Sequence, residues 1–279
     1  VNFDDPATAH KLELALSLKI STIKTFTNGA LNKVFSLKSD MDDGIVLKVS
    51  PGWNKRGLAR EKWCYDQLRL YTRLKIAQVL LYLTADNDVF PGHEILALEH
   101  IPGHHVTSFE MRRKKIHREI ADILNAFHQL HHVGGYGWLN ENFSGEHGDW
   151  HEFLRDIDNL HVVLDKQVIT GSEADLLIEE MVETAPANLP TSFLFGDLTK
   201  NNLIVDGDHG NGRVIPIDFQ NCFVGDPVYD VGIGLFFNPE MMPHLKEYLP
   251  NGTFDKDRRK AILYASRHSL SALGHRITV

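Results

Sequence analysis

The chain has 279 residues and a mass of 31.6 kDa, with 43% hydrophobic and 24% charged residues. This is the composition of a soluble globular protein large enough for one big domain or two lobes. The formal net charge of −8 and the isoelectric point near 6.0 argue against a nucleic-acid binder, which normally presents a basic face. No apolar run approaches the roughly 18 residues that a membrane span needs, so we expect no membrane association.

The two cysteines lie far apart in the sequence. Cys64 falls in a helical pattern and Cys222 lies beside a cluster of acidic residues. We therefore expect reduced, buried thiols in a cytoplasmic protein rather than a disulfide. The first five residues, Val1 to Asp5, do not form a signal peptide, and the lack of an initial Met is consistent with a trimmed chain.

The first hundred residues predict a small antiparallel sheet with two helices. A helix is expected over 4–18, capped by Asp4 or Asp5 with Pro6 in its first turn, and a second helix over 58–74. Alternating or apolar runs predict five strands, at 20–26, 34–38, 45–49, 79–84 and 94–98. The first turn, around Gly29, reads as a permissive Asn-Gly loop between antiparallel strands.

Lys48 is unusual because it lies inside an apolar strand, on the same face as Val46. A buried lysine is rare without a partner. Glu61 follows thirteen residues later in the predicted second helix. In kinase-like lobes a helix glutamate orients a strand lysine onto the nucleotide phosphates. The other interpretation is that Glu61 is one more solvated charge on a helix.

The strand that ends near Glu99 is broken by Pro102 and Gly103, where we place the boundary between two lobes. The predicted organisation is an N-terminal nucleotide-binding lobe (1–98), a connector (99–103) and a C-terminal catalytic and substrate-binding lobe (104–279). The second lobe is predicted to be mostly helical, with helices over 113–131, 150–164, 173–182, 241–249 and 258–273.

The most informative stretch runs from Leu194 to Phe219. Two β-leaning runs, 203–205 and 214–219, flank a polar turn and predict a hairpin. The hairpin brings Asn202 and Asp218 to one end, with Asp197 nearby on a loop. Phosphoryl transfer to a hydroxyl needs one carboxylate to accept a proton, and an amide oxygen and a second carboxylate to hold Mg²⁺. The alternative is that these are ordinary turn residues.

Taken together, these motifs resemble the aminoglycoside phosphotransferase and choline kinase superfamily over residues 20–235. Phe195–Asn202 is similar to the His-Gly-Asp-x-x-x-x-Asn loop of that family, with Phe in place of His. Ile217–Phe219 and Gly225–Val231 resemble its metal-binding Ile-Asp and the Asp-Pro-x-x-Asp-Leu segment. Asn28–Asn32 resembles its short phosphate loop, and Glu99–Gly103 its lobe connector.

The resemblance implies a role for each matching residue. Asp197 would be the catalytic base, and Asn202 and Asp218 the Mg²⁺ ligands. The residues expected around ATP are Lys48, Glu61 as its orienting partner, Gly29 and Asn32 of the phosphate loop, and Glu99 and Ile101 of the connector, with the nucleotide base against the connector backbone. Asp226 and Asp230 are assigned to structure, as a loop brace or helix cap. Because Phe195 stands where the family usually has His, the bracing of the loop is in question, whereas the assignment of the base is not.

The implied fold is α+β: a two-lobed, protein-kinase-like fold with a small antiparallel N-lobe and a mostly helical C-lobe. The implied function is transfer of the ATP γ-phosphate to a hydroxyl of a small molecule, with Mg²⁺. Only seven residues separate Asp218 from Asp226, which leaves no room for the activation segment of a protein kinase. A catalytically inactive, nucleotide-binding pseudokinase with a regulatory role is the alternative, favoured by Phe195 and by the glycine-poor phosphate loop.

The acceptor is expected to lie beside Asp197, near Trp150 and Glu152 and the C-terminal helices. The acids available there are interleaved with basic residues; they are Glu240, Glu247, Asp255 and Asp257. Such a mixed patch lacks the concentrated negative field that a polycationic antibiotic requires. A sugar, amino alcohol or ketosamine is therefore favoured over an aminoglycoside. The sequence favours neither a monomer nor an oligomer.

Overall fold

The computed structural model describes residues 5–28, 32–39, 44–51, 57–130, 134–186, 189–207, 212–249 and 252–278. The elements of the first part of the chain are α1 (Pro6–Leu16), β1 (Ile20–Asn28), β2 (Lys33–Ser39), β3 (Gly44–Pro51), α2 (Leu58–Tyr71), β4 (Val79–Leu83), β5 (His93–Glu99) and β6 (His104–His105). The elements that follow are α3 (Lys114–His128), β7 (Tyr136–Leu139), β8 (Gly145–His147), α4 (Trp150–Arg155), α5 (Leu160–Asp165), α6 (Gly171–Thr184), β9 (Ser192–Leu194), β10 (Leu203–Asp206), β11 (Arg213–Pro216), β12 (Phe223–Gly225), α7 (Pro227–Phe237) and α8 (Phe254–Thr278). Short 3₁₀ helices cover Glu110–Arg112, Lys200–Asn202 and Pro239–Glu247.

The chain divides into two compact units, which are described separately. The first unit comprises Val1–His104 and Asp206–Gln220, and the second comprises His105–Val205 and Asn221–Val279. The predicted lobe boundaries (1–98, 99–103 and 104–279) stay a prediction. Among the described helices, none combines the length and the apolar character needed to cross a bilayer.

The first unit is built on the five-stranded sheet that the sequence predicts. Its strand order is β1-β2-β3-β5-β4, and all neighbouring strands are antiparallel. Alternating apolar residues of β2 and β3 form one buried face, against which Leu12 of α1 packs. Asp5 caps α1, since its carboxylate accepts from the amides of Ala7 and Thr8. The α+β fold, with its antiparallel sheet in the N-terminal region, is therefore confirmed.

The second unit is mostly helical and has an aromatic core. The rings of Trp150, Phe153, Phe223, Tyr229 and Tyr264 contact one another at centroid separations of 4.8 to 6.0 Å. The polar atoms of this cluster form a chain of hydrogen bonds. The Trp150 Nε1 donates to the Tyr264 hydroxyl, and that hydroxyl donates to the Asp226 carboxylate. Asp226 also caps α7 through the amide of Val228.

Several sequence predictions for the second unit were wrong in detail. The helix predicted over 150–164 is two short helices, α4 and α5, because Asn159 between them adopts a left-handed conformation (φ 57°). The segment from Gly134 to Gly137, which follows the helix predicted over 113–131, leads into β7. That strand belongs to a four-stranded sheet of order β8-β7-β12-β9, which the sequence did not predict.

The central stretch also differs from the prediction. Strands are present where the sequence predicts them, as β10 and β11, but β11 ends at Pro216. Asp218 therefore lies beyond the strand rather than closing it, and its backbone is left-handed (φ 63°). The two cysteines, Cys64 and Cys222, are free and buried, as predicted.

Candidate active site

A buried lysine between two carboxylates is the centre of the site in the first unit. The Lys48 Nζ donates to Glu61 Oε1 at 2.7 Å and to Asp218 Oδ1 at 2.9 Å. Strand β3 carries the lysine and α2 carries the glutamate, whose side chain is fully buried. The Asp218 side chain is 41% exposed. The lysine is therefore fixed from inside, while one of its two carboxylate partners faces solvent.

The charges of this cluster are set by burial and by each other. Burial lowers the pKa of Lys48, but the carboxylates of Asp218 and Glu61 more than offset this, so the pKa lies above its usual value. Burial raises the pKa of Glu61 to about 7, although the neighbouring Lys48 lowers it. The lysine therefore stays cationic at neutral pH, whereas the buried Glu61 carboxyl gains a proton more readily than a free glutamate does.

The residues after Asp218 fasten this segment within the same unit. The ring of Phe219 packs on Tyr65 of α2, with centroids 4.4 Å apart. Gln220 accepts a hydrogen bond of 2.6 Å from the Nδ2 of Asn32, and both side chains are buried. Asn32 is the last residue of the predicted phosphate loop, so the structure ties the end of that loop to the segment that carries Asp218.

The other predicted nucleotide residues have different positions. Gly29 lies outside the described residues. Glu99 ends β5, its amide donates to the Gln78 carbonyl at 2.9 Å, and its carboxylate accepts from the Gln78 amide at 3.1 Å. The His100 amide donates to the Gly44 carbonyl at 3.0 Å, and the Ile101 side chain is buried. The amides of Glu99 and His100 are thus engaged within the unit.

In the second unit, a loop between β9 and a 3₁₀ helix carries Asp197. A fully buried carboxylate, that of Asp230 on α7, holds the start of the loop: it accepts from the amides of Phe195 at 2.9 Å and Gly196 at 2.8 Å. The Nε2 of His128, at the end of α3, lies 2.9 Å from the same carboxylate. Asp230 therefore braces the loop, as its structural assignment predicts.

This arrangement explains how the loop is held without a histidine at position 195. The Phe195 side chain is fully buried and its ring lies 5.3 Å from that of Phe127, so it contributes packing. The polar contacts of the loop start are made by its backbone, and backbone amides are available whatever the side chain. The bracing of the loop, which Phe195 put in question, is therefore supplied by hydrogen bonds from backbone amides to Asp230.

Asp197 and Asn202 are joined within this loop. The Nδ2 of Asn202 donates to the Asp197 carbonyl at 3.0 Å. The amide oxygen of Asn202 therefore points away from that carbonyl. The Nδ2 of Asn221 donates to Asp197 Oδ2 at 3.0 Å. Asn238 of the segment after α7 donates to the Leu198 carbonyl at 2.7 Å. The loop is thus fixed by neutral hydrogen bonds on either side of Asp197.

The predicted site residues therefore fall into two sets. The structure brings Lys48, Glu61 and Asp218 together in the first unit, and Asp197 and Asn202 together in the second. Among the contacts that the sequence did not predict are those of Asn32 with Gln220, His128 with Asp230 and Asn221 with Asp197. None of these pairs has a distinctive spacing, so no sequence signal pointed to them.

A sequence model described as the phosphotransferase enzyme family matches residues 22–262. No curated protein sequence matches. Among solved structures, the chain is similar to a thermostable mutant of aminoglycoside phosphotransferase APH(4)-Ia in complex with AMP-PNP and hygromycin B, at 16% identity over 98% of this chain and 96% of that chain, with a TM-score of 0.69.

Two further solved structures have the same fold. ADP-bound aminoglycoside phosphotransferase APH(2'')-Ib shares 18% identity over 97% of this chain and 90% of that one, with a TM-score of 0.70. The choline kinase LicA from Streptococcus pneumoniae shares 15% identity over 95% of this chain and 90% of that one, with a TM-score of 0.61. Identities this low establish the shared fold.

Proposed function

Because the chain belongs to the phosphotransferase enzyme family, we propose that it transfers the γ-phosphate of ATP to a hydroxyl group of a small molecule, with Mg²⁺. The observation that carries this proposal is the buried Lys48, held by Glu61 and by the partly exposed Asp218. A lysine fixed in this way presents a permanent positive charge to a polyphosphate, at no cost of reorganisation.

The donor set supports ATP and Mg²⁺ as ligands. An ammonium group has three N–H donors, and the two carboxylates engage two of those of Lys48, so one remains for a phosphate oxygen. Asn202 and Asp218 would hold the metal, because amide and carboxylate oxygens are the ligands that Mg²⁺ prefers. When bound, Mg²⁺ would neutralise charge on the phosphate oxygens. The nucleotide base would lie against the connector backbone from Glu99 to Ile101, where the amides of Glu99 and His100 already have partners.

In the proposed reaction, Asp197 is the base. The acceptor hydroxyl attacks the γ-phosphorus, a new O–P bond forms, the bond to the bridging oxygen of ADP breaks, and Asp197 takes the hydroxyl proton. The contribution of the protein is positioning and charge neutralisation, which dominate phosphoryl-transfer catalysis. The hydrogen bonds from Asn221 and Asn202 to residue 197 support this role, because they fix both its side chain and its backbone.

A pseudokinase that binds nucleotide without turnover is the second candidate, favoured by Phe195 in place of the usual His. Against it, the loop backbone is anchored to Asp230, and Lys48, Glu61, Asp197, Asn202 and Asp218 are all retained together. A site without catalysis has no need to keep all five groups.

ADP release from Mg-ATP, measured with a panel of sugars, amino alcohols, a ketosamine and aminoglycosides, separates the two candidates. An enzyme releases ADP faster with at least one acceptor. Asp197→Ala is expected to lose most turnover and keep Mg-ATP binding, whereas Asp218→Ala loses Mg-dependent nucleotide binding. ATP binding without ADP release from any acceptor would instead support the pseudokinase.

For the acceptor, we propose a sugar, amino alcohol or ketosamine rather than an aminoglycoside. Most of the acids considered for a cationic drug have basic partners: Glu247 pairs with Lys114 and Arg118, Asp257 with Lys260, and Glu240 lies 3.6 Å from Lys200. A thermal-shift screen with Mg-nucleotide tests this, since an acceptor stabilises the folded protein by mass action. Stabilisation by kanamycin-like compounds alone would overturn the preference.

A further inference from the structure

Asn221 contacts the Asp197 loop both through its side chain and through its backbone. Its Nδ2 donates to Asp197 Oδ2 at 3.0 Å. Its carbonyl lies directly against Gly196, where an added Cβ would be only 1.9 Å from the Asn221 oxygen. Gly196 also has a left-handed backbone (φ 77°), so no other residue fits this contact without a shift.

Strand pairing fixes the relative position of these two residues. Strands β9 and β12 are antiparallel partners, with Leu194 opposite Phe223 and Phe193 opposite Val224. Asp197 follows the end of β9 and Asn221 precedes the start of β12, so both lie at the same end of the ladder. Asp230 holds the intervening amides of Phe195 and Gly196. The hydrogen bond between Asn221 and Asp197 therefore joins two backbones that are already aligned.

The two oxygens of a carboxylate lie in one rigid plane, so a hydrogen-bond donor that holds one oxygen also fixes the position of the other. From this geometry we infer that Asn221 is a positioning residue, which holds the Asp197 carboxylate through Oδ2 in the orientation that takes the proton of the acceptor hydroxyl. The inference rests on the proposed function. A neutral donor suits this task, because it restrains the carboxylate without adding a charge beside the base. Correct placement of reacting groups is worth about 100-fold in rate for a displacement of about 1 Å.

The test compares Asn221→Ala, which removes the donor, with Asn221→Asp, which replaces it by a second carboxylate of nearly the same shape. The readout is the kcat and KM of ADP release from Mg-ATP, with choline, a fructosyl amine and hygromycin B as supplied acceptors, or with water alone if none raises the rate. For Asn221→Ala, kcat is expected to fall by about 10- to 100-fold and the KM for ATP to stay within about twofold. Asn221→Asp also lacks the N–H donor, so it should lose at least as much of kcat, again with the KM for ATP within about twofold.

Asn142→Ala and Asn142→Asp are the matched controls, because Asn142 is exposed on a turn of the same unit. They should leave kcat and the KM for ATP unchanged. If the Asn221 variants lowered the melting temperature but kept the wild-type kcat, the residue would be structural and the inference wrong. Asp197→Asn is measured in parallel: wild-type turnover there would overturn the proposed base, whereas an inactive Asp197→Asn with fully active Asn221 variants would overturn only the positioning role.

Discussion

The two sets of site residues are held by different kinds of interaction. In the first unit, a buried ion-pair cluster fixes Lys48 between Glu61 and Asp218. In the second unit, Asp197 is fixed by hydrogen bonds from two side-chain amides, that of Asn221 to its carboxylate and that of Asn202 to its carbonyl. A lysine that binds phosphate must stay charged, which adjacent carboxylates ensure. A base must keep its affinity for a proton, which a neighbouring cation would reduce.

The largest effect on stability should come from removing the lysine. Lys48→Met leaves the fully buried Glu61 without its cation, and breaking a buried ion pair from one side costs about 3–5 kcal/mol. Urea unfolding of the free protein measures this loss. The control, Lys62→Met, removes a partly exposed i,i+4 pair with Asp66 on α2, the helix that carries Glu61, and should change stability by about 0.5 kcal/mol or less. Equal losses for the two variants would mean that Lys48 is not a buried ion-pair centre.

The second effect concerns the loop anchor. Asp230→Ala leaves two buried amides, those of Phe195 and Gly196, without an acceptor, which should cost about 2–3 kcal/mol. Turnover should fall with it, because the loop that carries Asp197 loses its brace. Asp122→Ala, an exposed change on α3, should stay within about 0.5 kcal/mol. A variant of Asp230 with full activity and normal stability would contradict the backbone-bracing account.

The next effect is on the pH dependence of stability, and it comes from Glu61 of the first set. The pKa of Glu61 is raised to about 7, so in the folded protein this carboxyl holds its proton at pH values where the unfolded chain has lost it. Its contribution to stability is therefore largest below about pH 4.5 and falls as the pH rises to about 7. The difference in unfolding free energy between wild type and Glu61→Gln should shrink by about 1–2 kcal/mol from pH 5 to pH 7.5. A constant difference across this range would show that Glu61 is ionised throughout.

The smallest effect should come from the neutral contact in the first unit. Asn32→Ala leaves the buried Gln220 without its donor and should cost about 1 kcal/mol, as should Gln220→Ala. The double variant should cost less than the sum of the two, since the shared hydrogen bond is lost only once. Additive costs in a double-mutant cycle would mean that the two side chains do not act as a pair.

The sequence predicted the first unit better than the second for a physical reason. Alternating apolar residues and short turns define the antiparallel strands β1 to β5 locally, so their pattern is visible in the sequence. Lys48 was identifiable because a charge in an apolar strand requires a partner. By contrast, β9 and β12 have three residues each, and their pairing joins segments about thirty residues apart. Three residues in each strand are too few for an apolar pattern in the sequence to predict this pairing.

The same reasoning applies to the Asp197 loop. The spacing of Asp197, Asn202 and Asp218 indicated the chemistry, but the contacts that hold the loop are made by backbone amides and by Asn221. A backbone amide is present at every residue except proline, so the sequence contains no mark of which amides Asp230 accepts from. The left-handed Asn159, which divides the helix predicted over 150–164, was similarly invisible.

The most direct test of the central claim is the phosphorylation of an acceptor by wild type and by Asp197→Asn, followed by ³¹P NMR. With Mg-ATP and an acceptor from the panel, wild type should produce ADP and a new phosphate monoester. Asp197→Asn keeps the shape of the side chain but cannot take the proton, so it should bind Mg-ATP normally and form the monoester at least about 100-fold more slowly. Formation of the monoester by Asp197→Asn at the wild-type rate would contradict the account.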